Sequence, residues 1–346
     1  MNPLHGWRAA LRIRNRNWGL KLAAAVCLIF GFALAGCGMD ASQPIEMKLG
    51  HVGAPGSLVS DTAEDFARRV NERLAGRARL SVFGSSQLGG DETLMVKLKL
   101  GTVDFSFPST VMSSMIEAFG FFEMPYLIKD RPHMLRVEEK IFWPYLAPEA
   151  EKRGFQVLSV WENGFRHITN NTRPIVEPSD LSGIKLRTPR GVWRVRLFQS
   201  FSANPTPMPL EEVFVALQTG VLDGQENPLS QIHSQRFQEV QRYLSLSRHV
   251  YSPGYLIAGK EHWAKMPQDI RVEIEAAARE TKQYVIRHGA ELDEQLLETL
   301  KESGIKVNEV DRESFVSASE AIYQEFGGSI PGGREWIDEA LALAEP

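Results

Sequence analysis

Strand and helix patterns alternate in residues 46–107 of this chain. Three short runs have the pattern of strands, at residues 46–52, 80–83 and 103–107. Amphipathic helical patterns separate them; the first has a capping box at Asp61–Glu64, and the second begins at Asp91 and stops at Gly101. A strand–helix–strand order of this kind predicts parallel βαβ units. We therefore expect an α/β fold.

The helix–glycine–strand arrangement recurs further along the chain at a constant offset. The matching positions are Glu92, Met95, Leu98, Gly101 and Asp104, and then Glu211, Phe214, Leu217, Gly220 and Asp223. This recurrence indicates two lobes of similar construction, and a cleft between two lobes is a preferred place for a small ligand. After Pro267 an unusually long amphipathic pattern runs to Gly304, which predicts one helix that braces both lobes.

The N-terminus has the layout of a secretory signal. Residues 1–21 are basic and contain no acid, and residues 22–39 form an uncharged run that includes Leu34-Ala35-Gly36-Cys37. A cysteine in this position resembles a bacterial lipobox, which implies cleavage before Cys37 and attachment of lipid to its sulfur. The alternative is an uncleaved anchor helix, because an uncharged run of 18 residues is just long enough to span a bilayer. Both interpretations place the folded part outside the cytoplasm.

Charge and cysteine usage exclude several classes of function. The full chain has a net charge of −4, and removal of residues 1–36 would take away five basic residues and make it −9. We therefore expect no nucleic-acid partner. The two cysteines, Cys27 and Cys37, both lie in or beside the leader, so the folded part has neither a disulfide nor thiol chemistry.

An arginine near the end of a predicted strand is the first candidate for ligand binding. In Ile184-Lys185-Leu186-Arg187 the apolar and basic residues alternate, and Thr188-Pro189 ends the strand. Ligands of α/β sheets bind beyond the carboxyl ends of the strands, and the guanidinium fork suits a carboxylate. We expect Arg187 to hold the carboxylate of a small ligand. Arg166 and Asn227, each placed just after a predicted strand, would converge on the same anion.

Several motifs occur in a fixed order along the chain. They are Ser86-Gln87-Leu88-Gly89, Gly164-x-Arg166, Lys185-Leu186-Arg187, and a long run from Pro205-Thr206-Pro207-Met208-Pro209-Leu210-Glu211-Glu212-Val213 through Ala216-Leu217-Gln218-Thr219-Gly220 to Asp223-Gly224-Gln225-Glu226-Asn227-Pro228. Together they resemble the solute-binding proteins of tripartite ATP-independent periplasmic (TRAP) transporters of the DctP type. The resemblance covers roughly residues 45–320.

The resemblance implies a periplasmic-binding-protein-like fold, in which two α/β lobes close on an organic acid and a long helix spans both. The family arginine that forms a bidentate salt bridge with the ligand carboxylate corresponds to Arg187. Two further pocket positions of the family correspond to Arg166 and Asn227. Sialic-acid-binding members have a glutamate where this chain has Ser109 and lack the cation of Arg190, so the resemblance argues against sialic acid.

Five other residues complete the expected binding site, and Ser109 is the one among them that would help Arg190 and the aromatic residues to determine which acid binds. Arg190 would suit a second carboxylate, Trp193 would form a wall, His51 would bind hydroxyl groups, and Leu210 of the long motif would line the pocket. The expected organisation is a signal peptide (1–36), a tether (37–45), lobe I (46–163 with about 253–290), lobe II (164–252 with about 291–325) and a C-terminal helix (326–346).

Three functions fit these residues. The favoured one is a periplasmic, membrane-tethered lipoprotein that captures a small sugar acid or C4-dicarboxylate and delivers it to TRAP membrane subunits, without a cofactor or catalysis. A lipid-anchored sensor would share the pocket and differ only in its partner. An extracytoplasmic enzyme acting on a carboxylate is disfavoured, because the chain lacks His-Glu-x-x-His, Gly-x-Ser-x-Gly and a phosphate-binding glycine loop.

Overall fold

The computed structural model describes residues 44–345, so the predicted signal peptide, Cys37 and nearly all of the tether lie outside the described residues. The strands are β1 Ile45–Gly50, β2 Ala78–Phe83, β3 Phe105–Ser106, β4 Phe155–Asn170, β5 Lys185–Thr188, β6 Asn204–Pro207, β7 Gly224–Pro228, β8 Tyr243–Leu246, β9 Tyr251–Gly259 and β10 Lys306–Glu309. Within residues 44–345, no helix is both long and apolar enough to cross a bilayer.

The α-helices are distributed along the whole described chain. They are α1 Leu58–Arg73, α2 Asp91–Leu100, α3 Met112–Met115, α4 Arg131–Val137, α5 Ala147–Lys152, α6 Val192–Ser200, α7 Leu210–Gln218, α8 Leu229–Ser234, α9 Lys260–Lys265, α10 Gln268–Glu302, α11 Arg312–Ala318, α12 Glu320–Ser329 and α13 Gly333–Ala342. A π-helix, Glu138–Leu146, joins α4 to α5, and short 3₁₀ helices lie at Glu117–Glu123, Pro178–Leu181 and Phe237–Glu239.

The strands form one mixed sheet in the order β2-β1-β3-β9-β4-β7-β5-β6. Outside this order, β8 pairs with β4, and β10 pairs with β8. β1 is parallel to both β2 and β3, as the alternating strand and helix patterns predicted. β4 is antiparallel to β9, β7 and β8. The expected α/β class is confirmed.

β4 links the two halves of the sheet. Its first eleven residues, through Phe165, pair with β9, and residues 166–170 pair with β7. The ladder is irregular between Glu162 and Gly164, and Gly164 has a φ of 118°. A β-carbon at Gly164 would lie 3.3 Å from Pro228 Cβ, so glycine also permits the close approach of β7. The two lobes therefore meet along one continuous strand; the predicted lobe boundaries stay a prediction.

The long helix α10 packs into the cores of both halves. Its N-terminal part contributes Ile274 and Val285 to the cluster formed with α1 and the first half of the sheet. Its C-terminal part contributes Leu296 and Leu300 to a separate cluster with α7 and β8. An amphipathic helix of 35 residues is about 52 Å long, which is enough to cross both lobes. The predicted bracing helix is present.

Two segments differ from the sequence-based expectation. The predicted C-terminal helix over residues 326–346 corresponds to α13, which begins only at Gly333, because α12 ends at Ser329 and the chain turns at Gly332, whose φ is 78°. Arg166 and Asn227, which we expected just after predicted strands, lie within strands β4 and β7. Every residue of β7 is buried, so its polar side chains gave no period-2 alternation that could be recognised.

Candidate functional site

A cavity of about 190 Å³ lies where the two halves of the sheet meet. Strands β4, β5 and β7, the N-terminal ends of α2 and α7, helix α8 and the segment after β3 all contribute to its wall. The apolar part of the wall consists of Val52, Val59, Phe107, Val111, Pro189, Met208, Pro209 and Leu210. Leu210, a predicted site residue, thus lies in this wall.

Arg187 extends from β5 into the cavity wall and is held by one backbone carbonyl. Its Nε and Nη2 atoms donate to the Met208 oxygen at 2.9 and 2.6 Å. The Met208 N–H in turn donates to Thr188 O at 3.0 Å, which anchors that carbonyl to β5. The edge of the guanidinium formed by Nε and Nη2 is therefore occupied by the Met208 carbonyl. The terminal edge, formed by Nη1 and Nη2, is the one available to bind a carboxylate.

No carboxylate in residues 44–345 forms an ion pair with Arg187; Glu226 and Asp91 act on its charge only from a distance. The residue is only 3% exposed, and burial lowers its pKa to about 9. Arginine nevertheless stays protonated at neutral pH, so a buried positive charge persists. A buried charge without a partner is unfavourable, and an anion in the cavity would supply the missing partner.

Arg166, the second predicted arginine, belongs to a buried ion-pair network beneath the cavity. It forms an ion pair with Glu226, and its Nη2 donates to the Glu226 backbone oxygen at 2.6 Å. Arg194 contacts both Glu226 and Glu123 at 2.6 Å. Burial by itself would raise the pKa of Glu226, but Arg166 and Arg194 outweigh it and hold that pKa well below its usual range. The positive charges of Arg166 and Arg194 are thus matched by the negative charges of Glu226 and Glu123. Arg187 forms no ion pair with this network.

Asn227 is oriented by a chain of hydrogen bonds within and behind β7. Its Nδ2 donates to Gln225 Oε1 at 2.6 Å, Gln225 Nε2 donates to Thr169 Oγ1, and Thr169 donates to Gln241, both at 2.9 Å. This sequence of donors leaves Asn227 Oδ1 to accept from Arg166 Nη2 at 3.0 Å. Arg166, Arg187 and Asn227 all line the cavity, so the structure brings the three predicted residues together.

Arg190 and Ser109 also line the cavity, and each has a protein partner. Arg190 forms an ion pair with Glu92 at 3.1 Å, and both side chains are about half exposed. The structure therefore gives the predicted second cation an acid of its own. Ser109 Oγ donates to Pro253 O at 2.7 Å and accepts from Asn163 Nδ2 at 3.4 Å.

Trp193 and His51, the remaining predicted site residues, are not among the residues that line the cavity. Trp193 is buried against Phe326, with ring centroids 5.1 Å apart, because its face of α6 points toward the C-terminal helices. His51 is 1% exposed and packs close to Gly84, and burial lowers its pKa to about 4. Both residues contribute to the core beside the site.

A sequence model described as bacterial extracellular solute-binding protein, family 7 (DctP), matches residues 49–329. The chain belongs to this family. It is 28% identical to the 2,3-diketo-L-gulonate-binding periplasmic protein YiaO of Escherichia coli (strain K12), over 92% of this chain and 98% of that protein. The recognised resemblance to TRAP solute-binding proteins is therefore confirmed.

Solved structures of the DctP family show the same two-lobe fold. The sugar acid binding protein DctPAm from Advenella mimigardefordensis, in complex with galactonate, is 33% identical and superimposes with a TM-score of 0.83, covering 88% of this chain and 98% of that one. A TRAP periplasmic solute-binding protein from Sulfurospirillum deleyianum with bound succinate gives the same identity and TM-score, covering 87% and 99%.

In this DctP-family protein several cavity residues escaped the sequence-based selection. Asp91, Glu92 and Glu211 lie at the N-terminal ends of α2 and α7, and Asn163 and Gln231 belong to β4 and α8. The repeated helix pattern contained a usable signal, because both repeated helices begin with acids that face the cavity. Burial, reinforced by the Glu211 carboxylate, raises the pKa of Asp91 to about 7.

The described part of the site has no arrangement that suggests metal chemistry. Residues 44–345 contain no cluster of three or more histidine, cysteine, aspartate or glutamate side chains placed to hold a metal ion. What the cavity offers is one buried guanidinium without an acid partner, surrounded by amides, hydroxyls and a largely apolar wall. Such a site can bind and orient a small anion.

Proposed function

We propose that this chain captures a small organic acid through Arg187 and delivers it to the membrane subunits of a TRAP transporter. The observation that carries the proposal is the buried Arg187 guanidinium, which Met208 positions and which forms no ion pair with any described carboxylate. Named relatives bind 2,3-diketo-L-gulonate and C4-dicarboxylates. A carboxylate at the same place here would convert an unfavourable buried charge into a charge-assisted, bidentate hydrogen bond.

Capture is coupled to closure of the two lobes. Arg187 and Asn227 come from strands of the second half of the sheet, whereas Asp91 and Ser109 follow elements of the first half. A ligand that touches both sets of residues stabilises the closed arrangement by contacts that the open one does not make. The Arg190–Glu92 ion pair joins the same two sides, and as an exposed pair it adds little to that preference.

Binding proceeds without catalysis in this proposal. The relatives with named functions are binding proteins. Arg166, which lines the cavity, is fixed against the buried Glu226 behind it by several hydrogen bonds. Groups held in this way position their neighbours and are poorly placed to transfer protons to a ligand.

Location outside the cytoplasm and tethering by Cys37 are also part of the proposal. The test is Cys37→Ser expressed in a bacterium that processes lipoproteins, followed by separation of membranes from soluble protein. Release of the variant supports a lipid tether. Retention in the membrane would instead favour an uncleaved anchor helix, and it would leave the binding proposal unaffected.

The ligand-binding proposal is tested by calorimetry on the chain from residue 44. A thermal-shift screen of small carboxylates first identifies a ligand, because binding raises the unfolding temperature. Loss of one partner of a buried charge pair typically costs about 2–5 kcal/mol, so Arg187→Ala should weaken binding at least about thirtyfold. Arg190→Ala, a half-exposed arginine in the same wall, is the matched control. Equal affinity of Arg187→Ala and the unsubstituted protein would refute the proposal.

A further inference from the structure

Four side chains in the cavity wall have an oxygen with no hydrogen-bond partner among residues 44–345. They are Asp91 Oδ1, Thr110 Oγ1, Asn163 Oδ1 and Gln231 Oε1. Asn163, Gln231 and Thr110 are 6%, 3% and 9% exposed, so bulk water has little access to them. Buried polar groups are normally paired, and each unpaired one calls for an explanation. Here all four line the space in which the ligand is proposed to lie.

The amide of Asn163 has a defined orientation. Ser109 Oγ donates its only hydrogen to Pro253 O at 2.7 Å, so toward Asn163 it can only accept. The 3.4 Å contact with Ser109 therefore places Asn163 Nδ2 on that side, and Oδ1 is directed away from it. Asn163 thus offers the cavity an acceptor, and its partner must bring a hydrogen.

Among the residues that line the cavity, no second cation lacks an acid partner and is free to pair with a second carboxylate. Its three basic residues are Arg166, Arg187 and Arg190. Arg166 is paired with Glu226 and Arg190 with Glu92, which leaves Arg187 as the one without an acid partner in the described chain. A second carboxylate would also face Asp91 and Glu211, two acids in the same wall.

We propose that the cavity selects a hydroxylated monocarboxylate, of the aldonate or uronate class, over a dicarboxylate without hydroxyl groups. This inference rests on the proposed function and extends it: Arg187 holds the carboxylate, and Asn163, Gln231 and Asp91 accept hydrogen bonds from ligand hydroxyls. An unsubstituted dicarboxylate such as succinate or adipate, ionised at neutral pH, brings no hydrogen for these oxygens and leaves them unpaired.

The positions of the acceptors favour several hydroxyls over a single ammonium group. Asp91 begins α2, Thr110 follows β3, Asn163 lies in β4 and Gln231 lies in α8. Hydroxyls distributed along a carbon chain can reach acceptors on four separate elements, whereas one ammonium group has three hydrogens at one point. Because Asp91 and Thr110 come from the first half of the sheet and Arg187 from the second, these hydroxyls would also tie ligand recognition to closure.

A chain-length-matched ligand series tests the inference by calorimetry. The hydroxylated members are D-erythronate, D-threonate, D-gluconate, D-galactonate and D-glucuronate; the comparison members are succinate, adipate, butyrate, hexanoate, 4-aminobutyrate and 6-aminohexanoate. We expect at least one hydroxylated acid to bind at least tenfold more tightly than every comparison acid. A dicarboxylate that binds as tightly as the best hydroxylated acid would overturn the inference, and so would an amino acid of the series.

Variants assign the selectivity to individual residues. Asn163→Leu and Gln231→Met each remove an acceptor at nearly constant side-chain volume. Each should weaken binding of the best hydroxylated acid about tenfold and leave the affinity for butyrate or hexanoate unchanged. Ser230→Ala removes a buried, unpartnered hydroxyl that does not line the cavity, and it should change neither affinity. Unchanged selectivity in both acceptor variants would overturn the assignment to these residues. If a variant fails to fold, the ligand series with the unsubstituted protein still tests the selectivity itself.

Failure of the inference and failure of the proposed function are distinguishable. Suppose that a carboxylate without a hydroxyl group binds as tightly as the best hydroxylated acid, and that Arg187→Ala abolishes its binding. In that case only the inference is wrong. If the affinity for every acid in the series is independent of Arg187, the proposed function itself is wrong.

Discussion

The guanidinium of Arg187 donates to the Met208 carbonyl oxygen through both Nε and Nη2, at 2.9 and 2.6 Å. This arrangement fixes the plane of the guanidinium in the cavity wall and leaves Nη1 without a hydrogen-bond partner among the described residues. It also holds a positive charge in a buried position, where burial lowers the pKa of the side chain to about 9. The charge of Arg187 is therefore expected to favour ligand binding and to lower the stability of the ligand-free protein.

Arg187→Met should increase the stability of the ligand-free protein while it abolishes ligand binding. Removal of a buried charge that has no acid partner is expected to raise the free energy of unfolding by about 1–3 kcal/mol, even though the Met208 carbonyl loses its donors. Urea denaturation without ligand measures the first effect, and calorimetry measures the second. A clear loss of stability would show that the charge of Arg187 is compensated in the empty protein.

Arg190→Ala should weaken ligand binding less than about fivefold. The Arg190–Glu92 pair is half exposed on both sides, and exposed ion pairs contribute about 0–1 kcal/mol. Calorimetry at low and high salt measures the effect, which should shrink further as salt screens the pair. A loss as large as that of Arg187→Ala would mean that Arg190 contacts the ligand directly.

Arg194→Leu should destabilise the protein by about 3–5 kcal/mol. The variant removes a fully buried partner of Glu123 and Glu226, and breaking a buried charge pair from one side leaves an unpaired charge. Arg196, two residues further along α6, is the matched control: its pair with Glu325 is exposed, so Arg196→Ala should cost less than about 1 kcal/mol. Urea denaturation of both variants makes the comparison. Similar costs would contradict the description of the network as buried.

His167→Gln should become more stable, relative to the unsubstituted protein, as the pH falls from about 6.5 to 4. Burial lowers the pKa of His167 to about 3, so in this range the unfolded chain binds a proton that the folded protein does not. The histidine therefore destabilises the fold by about 1.4 kcal/mol for each pH unit below 6.5.

The comparison with His167→Gln isolates this contribution. Burial also lowers the pKa of His51 and His249 to about 4, which acts in the same direction, whereas the raised pKa of Asp91 acts in the opposite one. Urea denaturation at pH 7.5, 6.0 and 5.0 gives the stability of both proteins. A constant difference between them over this range would contradict a buried, neutral His167.

The sequence was most informative where one side of an element faces solvent. The amphipathic pattern from Pro267 to Gly304 predicted α10, and the glycine-terminated helix from Asp91 ended at Gly101 as expected. A solvent-facing side keeps polar residues, so the helical period stays visible. In β7 and the second part of β4 both faces are buried, and the sequence pattern did not predict that these segments are strands.

The candidate site also has residues that the sequence located correctly and residues that it did not. Arg166, Arg187 and Asn227 were selected from their motifs, and all three line the cavity. Trp193 and His51 were selected for their chemistry, yet the packing of α6 and of the segment after β1 directs them into the core. Their sequence neighbours carry no information about which long-range contacts surround them.

By itself, the sequence determined the family, the α/β class, the bracing helix and the arginine proposed to bind a carboxylate, because these depend on local patterns and on motifs. The tertiary structure alone decided which charges are already neutralised. Arg166, Arg187 and Arg190 look alike in the sequence, but Glu226 pairs with the first and Glu92 with the third across long chain separations. Arg187 has no such partner in the described chain, and that difference arises only when distant segments meet.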